Sequence, residues 1–153
     1  MPHLPSYWVL LADGHRARLL QGTRPFEDLH GVDGGVIEPA VTHDFARDVD
    51  TDNPGRSFSS SGGGRRSAIE PGEDPIRAEQ RAFALDLAEK LDAAARDSKY
   101  DRLIIAAPPH FLGDIRTVLG ASARAKLQAA IDKDLVKLPA ADLPKALMAA
   151  IGF

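Results

Sequence analysis

The sequence of 153 residues contains no cysteine, which excludes disulfide bonds, a thiolate zinc site and a thiol nucleophile. Long apolar runs are also missing, because the longest two, Trp8 to Ala12 and Leu103 to Ala107, fall far short of the ~20 residues that span a bilayer. The segment from Met1 to Pro5 shows neither the basic nor the apolar part of a signal peptide. We therefore expect a soluble, cytoplasmic protein with no membrane partner.

A strong charge of one sign is lacking as well. The formal net charge is −3, with 44% hydrophobic and 27% charged residues, which is the balance of an ordinary globular protein. A weakly acidic chain argues against a general nucleic-acid coating protein, and we expect no DNA partner. The length suits one domain with a core of its own, so we predict a single domain over residues 1–153.

The motifs of common catalytic and metal sites are absent. There is no Gly-x-Ser-x-Gly nucleophile motif and no His-Glu-x-x-His zinc pair, and the acidic run from Asp48 to Asp52 lacks the Gly and Glu of a calcium loop. The glycine-rich stretch is followed by Arg65-Arg66 instead of the Lys-Ser/Thr of a P-loop. We expect no metal and no cofactor, and the sequence favours a non-catalytic protein over an enzyme.

The first third of the chain predicts three antiparallel strands. The continuous apolar run Trp8 to Ala12 is typical of a central strand, and Arg16 to Leu20 alternates polar with apolar residues. Asp13-Gly14 between them is a preferred pair for a type I′ hairpin turn. A third strand is predicted between Val32 and Val41.

The second half predicts helices alternating with strands. Asp74-Pro75 provides an N-cap and a first helical residue for a long helix with one apolar face. After it we predict a strand at 103–107, helices at 111–119 and 122–130, a short strand at 135–138 and a final helix at 143–151. Strands that follow one another through helices form parallel pairs. The predicted fold is therefore α/β, with a mixed sheet of about five strands and helices on its faces.

Residues 43–74 differ in composition from the rest and predict a long flexible loop. Gly62, Gly63 and Gly64 lie among serines and arginines that cannot bury enough apolar surface to offset their ordering entropy. Between Pro54 and Ala68 there are three basic residues and no acid: Arg56, Arg65 and Arg66. Arginine binds phosphate oxygens in pairs of hydrogen bonds, so this segment suits phosphate contacts. A solvated linker is an equally weighted alternative.

A second candidate site lies at the ends of two predicted strands. Asp13 and Arg16 follow the first strand, and His110 follows Pro108-Pro109 after a later one. In open α/β sheets ligands bind beyond the carboxyl ends of the strands, near helix N-termini. These three residues could form a pocket with an acid and a base. The sequence favours the plainer alternative, a hairpin turn with solvated arginines, including Arg18, and a loop histidine.

Several strings in the chain resemble the host attachment protein family of bacteria. They occur in order along nearly the whole chain: residues 8–18, residues 52–58, Glu70-Pro71 with Asp74-Pro75, residues 106–113 and residues 133–135. The family is in turn similar to the middle domain of the class I release factor of eukaryotes and archaea. There a mobile Gly-Gly-Gln loop precedes a long helix.

In this chain Gly62-Gly63-Gly64-Arg65 stands at the corresponding place, and the Gln is missing. The resemblance therefore implies contact with the ribosome or tRNA without peptidyl-tRNA hydrolysis. Two alternatives stay open, a hydrolase of a phosphorylated or nucleotide ligand and a protein-interaction role in attachment to host cells.

Overall fold

A five-stranded sheet organises the part of the chain that the computed structural model describes, residues 4–39 and 74–151. The strand order is β3-β2-β1-β4-β5. β1 pairs antiparallel with β2 and parallel with β4, β2 pairs antiparallel with β3, and β4 pairs parallel with β5. The strands are β1 (Tyr7–Ala12), β2 (Ala17–Gly22), β3 (His30–Ile37), β4 (Arg102–Ala106) and β5 (Leu127–Ile131). The predicted α/β class with a mixed sheet is confirmed.

Four α-helices and one 3₁₀ turn cover this sheet within the described residues. Helix α1 begins as predicted, because the Asp74 side chain accepts a hydrogen bond from the Ile76 N–H at 3.0 Å and Pro75 occupies the first turn. None of the described helices is long and apolar enough to cross a membrane. The helices are α1 (Pro75–Arg96), α2 (Pro109–Val118), α3 (Ala121–Lys126) and α4 (Leu143–Ile151), and the 3₁₀ turn is Ala140–Asp142.

The prediction was wrong where a strand replaces a helix near residue 127. Helix α3 ends at Lys126 and β5 begins at Leu127, whereas the sequence predicted helix through 122–130. Residues 135–138, predicted as a strand, form turns and bends. The alanines of this stretch favour helix by propensity, but pairing with β4 decides the conformation. The third strand also begins and ends earlier than predicted, at His30–Ile37.

Alternate residues of each central strand point to opposite faces of the sheet, and each face has its own core. We call them the α1 face, which α1, α2 and α3 cover, and the α4 face, which α4 and the segment before it cover. From the strands and helices the α1 face buries Trp8, Leu10, Leu19, Phe83, Leu87, Leu91, Ile105, Phe111 and Ile115. The α4 face buries Tyr7, Val9, Leu11, Phe26, Ile104, Ile131, Val136, Leu143 and Leu147.

The predicted flexible loop at 43–74 lies outside the described residues, apart from the N-cap Asp74. The described chain reaches position 39 after β3 and resumes at position 74 before α1.

Candidate functional site

Four of the five strands point the same way, so their carboxyl ends share one edge of the sheet. The pairing makes β1, β3, β4 and β5 parallel in direction, with β2 opposed. We call this the carboxyl edge. The β1–β2 hairpin turn lies here, together with the N-terminus of α2, which follows β4, and the N-terminus of α1. This is where an α/β sheet of this kind binds ligands.

In the hairpin turn the Asp13 carboxylate accepts hydrogen bonds from the backbone. One carboxylate oxygen, Oδ1, accepts from the N–H of His15 at 2.8 Å and from the N–H of Arg16 at 2.9 Å. The Asp13 N–H in turn donates to the Arg16 carbonyl at 3.1 Å. The predicted hairpin is confirmed, but its type is not I′, because only Gly14, with φ +96°, has a positive φ where type I′ needs two.

Helix α1 packs directly against this turn through Gln80. A Cβ atom at Gly14 would lie 3.0 Å from the Gln80 Nε2, the end of a flexible side chain that can shift, so glycine is favoured at position 14 chiefly for its φ of +96°. The Gln80 side chain also accepts a hydrogen bond from Arg77 at 3.4 Å. The first two turns of α1 are thereby fixed on the hairpin.

Arg77 then connects α1 to α2 by a bidentate pair with Asp114. Nη1 lies 2.6 Å from Oδ2 and Nη2 lies 2.8 Å from Oδ1. The exposed fractions of the two side chains are 34% and 15%, so the pair is partly shielded from water. Such fork-to-fork geometry holds both side chains in one orientation. Gly14, Gln80, Arg77 and Asp114 therefore form a continuous connection between the hairpin, α1 and α2, which we call the edge clasp.

The edge clasp was not predicted from the sequence. Arg77 and Asp114 stand 37 positions apart and on different helices, so no helical spacing relates them. A basic residue one turn into a predicted helix is normally read as solvated. The contact is visible only once the sheet has brought the two helices side by side.

The predicted pocket residues lie on two separate elements of the carboxyl edge. Asp13 and Arg16 belong to the hairpin turn, where the Arg16 side chain is exposed. His110 is the second residue of α2 and is exposed as well. No hydrogen bond between described residues joins His110 to Asp13. A shared pocket stays a prediction, and the Asp13 carboxylate already bonds two backbone N–H groups.

The arginines and glycines of the other predicted site fall outside the described part of the chain: Arg56, Gly62, Gly63, Gly64, Arg65 and Arg66. The structure does fix where the connection that carries them leaves and rejoins the domain. β3 ends at Ile37 on the carboxyl edge, and α1 starts at Pro75 on the same edge. Both ends therefore lie on the edge to which the edge clasp belongs.

Arg18 was predicted as a solvated arginine, and that prediction was wrong. Its Nη1 donates to the carbonyls of Val136 at 3.1 Å and Leu138 at 2.8 Å, and the side chain is half-buried. The carbonyls belong to the irregular segment between β5 and the 3₁₀ turn, which has no strand or helix partner for them. Arg18 thus satisfies backbone groups on the α4 face.

Two cavities open at the opposite edge of the domain. One of about 480 Å³ lies between the β2–β3 connection and α4, lined by Pro25, Glu27, Ala140, Ala141, Pro144, Lys145 and Met148. The other, of about 150 Å³, is lined by Leu4, Pro5, Tyr7, Thr23 and Arg24. Neither includes Asp13, Arg16 or His110. Among the described residues no group of three His, Asp or Glu side chains could hold a metal ion.

Comparison with known protein families finds one that covers most of the chain. The model of a family described as "Protein required for attachment to host cells" matches residues 8–147. A search of curated proteins finds no match. The matched span runs from β1 to α4, so it includes both faces of the sheet and the carboxyl edge.

Proposed function

Because the chain belongs to the family of proteins required for attachment to host cells, we propose that its part in attachment is indirect. In this proposal it is a cytoplasmic, non-catalytic module that contacts RNA phosphates, at the ribosome or on tRNA. The contacts come from the basic glycine-rich segment held between β3 and α1. The observation that supports this most strongly is that the described residues before and after that segment both lie at the carboxyl edge.

The charge of the segment suits phosphate. From Pro54 to Ala68 the chain carries three arginines and no acid, although its overall net charge is −3. A guanidinium forms two parallel hydrogen bonds with phosphate oxygens, and glycines allow a nucleic-acid backbone to approach the chain closely. A locally basic segment on a weakly acidic domain concentrates binding at one place.

The anchoring supports the same proposal. Asp74 caps α1, and the Arg77–Asp114 pair fixes the first turns of α1 against α2. Gln80 and Gly14 fix the same turns against the hairpin. The residues that follow the segment are therefore already ordered, and their ordering adds no entropy cost when the chain binds its target.

The described side chains of the carboxyl edge favour binding over catalysis. The Asp13 carboxylate accepts two backbone N–H groups, and Asp114 is held by Arg77. A general base must reach the proton that it removes, and both carboxylates already have structural partners. A hydrolase at this edge would depend on His110. If the chain hydrolyses a phosphoryl ester and His110→Ala abolishes this hydrolysis without changing RNA binding, the non-catalytic part of our proposal is wrong.

The test is co-sedimentation of the full chain with ribosomes at low and moderate salt. An Arg56/Arg65/Arg66→Ala variant should lose at least tenfold in binding. The slope of log affinity against log salt should become shallower by about two, since each lost contact to single-stranded RNA removes ~0.7. Binding that survives in this variant, or that ignores salt, would contradict the proposal.

The matched control removes the same charge elsewhere. Lys99, Arg102 and Lys145 are exposed cations at the opposite edge of the domain, and their triple alanine variant should bind as the wild type does. An equal loss in both variants would mean that net charge, not the segment, drives association. Capture of a protein partner without RNA would instead support the protein-interaction alternative.

A further inference from the structure

The larger of the two cavities at the edge opposite the carboxyl edge is a groove between two walls. One wall is the β2–β3 connection, and the other is the 3₁₀ turn with the first turns of α4. Its volume is about 480 Å³, and Pro144 and Met148 are half-buried in it. The groove is open to solvent, because its other lining residues are exposed: Pro25, Glu27, Ala140, Ala141 and Lys145.

The first wall is held in one conformation around Phe26. This side chain is fully buried, and its φ of +78° lies in the left-handed region, which a bulky residue adopts only where its surroundings hold it there. The Phe26 N–H donates to the Thr23 carbonyl at 2.6 Å, and the Asp28 carboxylate accepts from the Thr23 N–H and hydroxyl, both at 2.9 Å. Pro25 and Glu27 adjoin Phe26 in the chain, so this wall needs little further ordering when a ligand binds.

The second wall is fixed by the apolar side chains of α4. Leu143 and Leu147 are 0% exposed and belong to the core of the α4 face. Their burial sets the position of the helix on the sheet. Pro144, Lys145 and Met148 stand beside them on the helix and line the groove. Both walls are therefore in place in the free chain.

The groove combines an apolar surface with two unpaired charges. Pro25, Pro144 and Met148 provide two rings and a thioether, and a thioether packs favourably against an aromatic ring. Glu27 lies on one wall and Lys145 on the other, and neither side chain forms an ion pair with another described residue. A ligand that matches the groove therefore carries an aromatic group between a positive and a negative group.

A peptide segment of another protein fits this chemistry better than a small molecule does. Small ligands lie in pockets that bury most of their surface, whereas this groove is open along its length. A second cavity of about 150 Å³ is lined in part by Thr23 and Arg24 of the same connection, so a large partner can contact both. A nucleic acid fits poorly, because the Glu27 carboxylate would face its phosphates.

We propose that this groove binds a peptide segment of a protein partner in which an aromatic residue stands between a basic and an acidic residue. The aromatic ring lies against Pro25, Pro144 and Met148. The basic side chain pairs with Glu27, and the acidic side chain pairs with Lys145. Exposed ion pairs contribute little affinity, so the ring provides most of the affinity and the charges select the sequence.

The first test uses Met148 as a reporter, since Met1 is the only other methionine of the chain. The full chain, with ¹³C-labelled methionine methyl groups, is titrated with acetyl-Lys-Phe-Glu-amide and with the reversed peptide, acetyl-Glu-Phe-Lys-amide. The Met148 signal should shift and saturate, with a Kd of about 1 mM for the better peptide. Replacing Phe by Ala in that peptide should weaken binding at least tenfold, because the buried ring is lost. An unshifted Met148 signal, or equal binding of the Ala peptide, would overturn the proposal.

The second test reverses the charges of the groove. The wild type should bind the better of these two peptides about threefold more tightly than acetyl-Lys-Phe-Lys-amide, since one exposed ion pair is lost in the latter. Lys145→Glu should prefer acetyl-Lys-Phe-Lys-amide, and Glu27→Lys should prefer acetyl-Glu-Phe-Glu-amide. Lys137→Glu, at an exposed lysine that does not line the groove, controls for net charge and should keep the wild-type preference. Folding damage cannot create a new preference, and variants that keep the wild-type preference would contradict the proposed ion pairs.

The third test fills the groove. Ala141→Leu adds a larger side chain at an exposed lining position and should weaken binding of the better peptide at least tenfold. Ala149→Leu, at an exposed position of α4 that does not line the groove, should stay within about twofold of the wild type. Equal affinities of the two variants would mean that the peptide binds elsewhere. Phenylalaninamide that binds the wild type as tightly as the peptide would show that a small aromatic molecule is the occupant, and would overturn the proposal of a peptide.

Discussion

The α1 face and the α4 face of the sheet are built by different means. On the α1 face a helix of 22 residues provides a continuous apolar stripe. Aromatic stacking extends it, with ring centroids 5.8 Å apart for Phe83 and Phe111 and 4.9 Å apart for Trp8 and Tyr100. On the α4 face the helix has nine residues, and Tyr7 and Phe26 meet edge to face at 5.3 Å.

The α4 face has a short helix, and side-chain hydrogen bonds to the backbone add to its stability. Arg18 donates to two carbonyls of the irregular segment after β5, and Asp28 accepts from the N–H and hydroxyl of Thr23 in the β2–β3 connection. Helices satisfy their own backbone groups, whereas irregular segments need partners for theirs. We infer that the longer helix makes the α1 face depend more on apolar burial than the α4 face does, although the Arg77–Asp114 pair also joins its helices.

The largest effect is expected from removing one leucine of the α1 face. Leu87 is 1% exposed and lies in the middle of α1, so Leu87→Ala should lower the free energy of unfolding by about 3–5 kcal/mol. The same change at Leu147, which is 0% exposed on α4, should cost about 2–3 kcal/mol, because a short helix can shift to fill the cavity. Urea denaturation of both variants measures the difference.

Comparing Leu87→Ala with Leu147→Ala tests whether the two faces differ in how far they depend on apolar burial. Leu85, on the same helix as Leu87, is 43% exposed, and Leu85→Ala controls for helix propensity and should change little. If Leu147→Ala costs as much as Leu87→Ala or more, the α4 face depends on apolar burial at least as much as the α1 face does. The proposed difference between the two faces would then be wrong.

A smaller effect is expected from the polar tie of the α4 face. Arg18→Met keeps most of the apolar stem but removes the donors to the Val136 and Leu138 carbonyls, and should cost about 1–3 kcal/mol. Arg16→Met, at an exposed arginine of the neighbouring hairpin turn, is the matched control and should cost less than about 0.5 kcal/mol. Equal costs would show that Arg18 contributes only general surface charge. Thermal unfolding at neutral pH distinguishes these outcomes.

On the α1 face one polar contact is a buried hydroxyl. The Tyr100 hydroxyl donates to the Leu91 carbonyl at 2.9 Å, so Tyr100→Phe should cost about 1 kcal/mol. Burial above all, and then the nearby Asp92 charge, raise the pKa of Tyr100 above its ordinary value of 10.0. The unfolded chain ionises first as pH rises, so wild-type stability should fall above about pH 10 and the gap to the variant should narrow. A gap that stays constant up to pH 11 would contradict this assignment.

Patterns within one element made the strands and the long helix predictable. The apolar run of β1, the Asp13-Gly14 turn and the Asp74-Pro75 cap are each complete in a few neighbouring residues. β5 was missed because Gln128 to Ala130 favour a helix by propensity, and only the neighbouring β4 makes them a strand.

The candidate site was less predictable, for a related reason. Asp13 and His110 were found on the carboxyl edge as expected from the ends of their strands. The Arg77–Asp114 pair and the Arg18 contacts join positions 37 and at least 118 apart, and no local spacing reports them. Contacts between residues so far apart in the sequence can be identified only when the fold is known.

The smallest effect tests the α4 face at acid pH. The pKa of Asp28 lies below its ordinary value of 3.8, chiefly because the Thr23 N–H donates to the carboxylate, with the Thr23 hydroxyl adding to the effect. A lowered pKa stabilises the folded chain above pH 3.8 and loses that contribution as the carboxylate is protonated. Since Asp28 is exposed, Asp28→Asn should cost less than about 1 kcal/mol at pH 7.

The Asp28→Asn cost should shrink as the pH falls below 4 and the wild-type carboxylate becomes protonated. Asp142→Asn, at an exposed aspartate of the 3₁₀ turn, is the control for removing one negative charge from the surface. Urea unfolding at pH 2, 4 and 7 measures both. A cost for Asp28→Asn that is as large at pH 2 as at pH 7 would mean that the contact between Asp28 and Thr23 stabilises the fold without the negative charge.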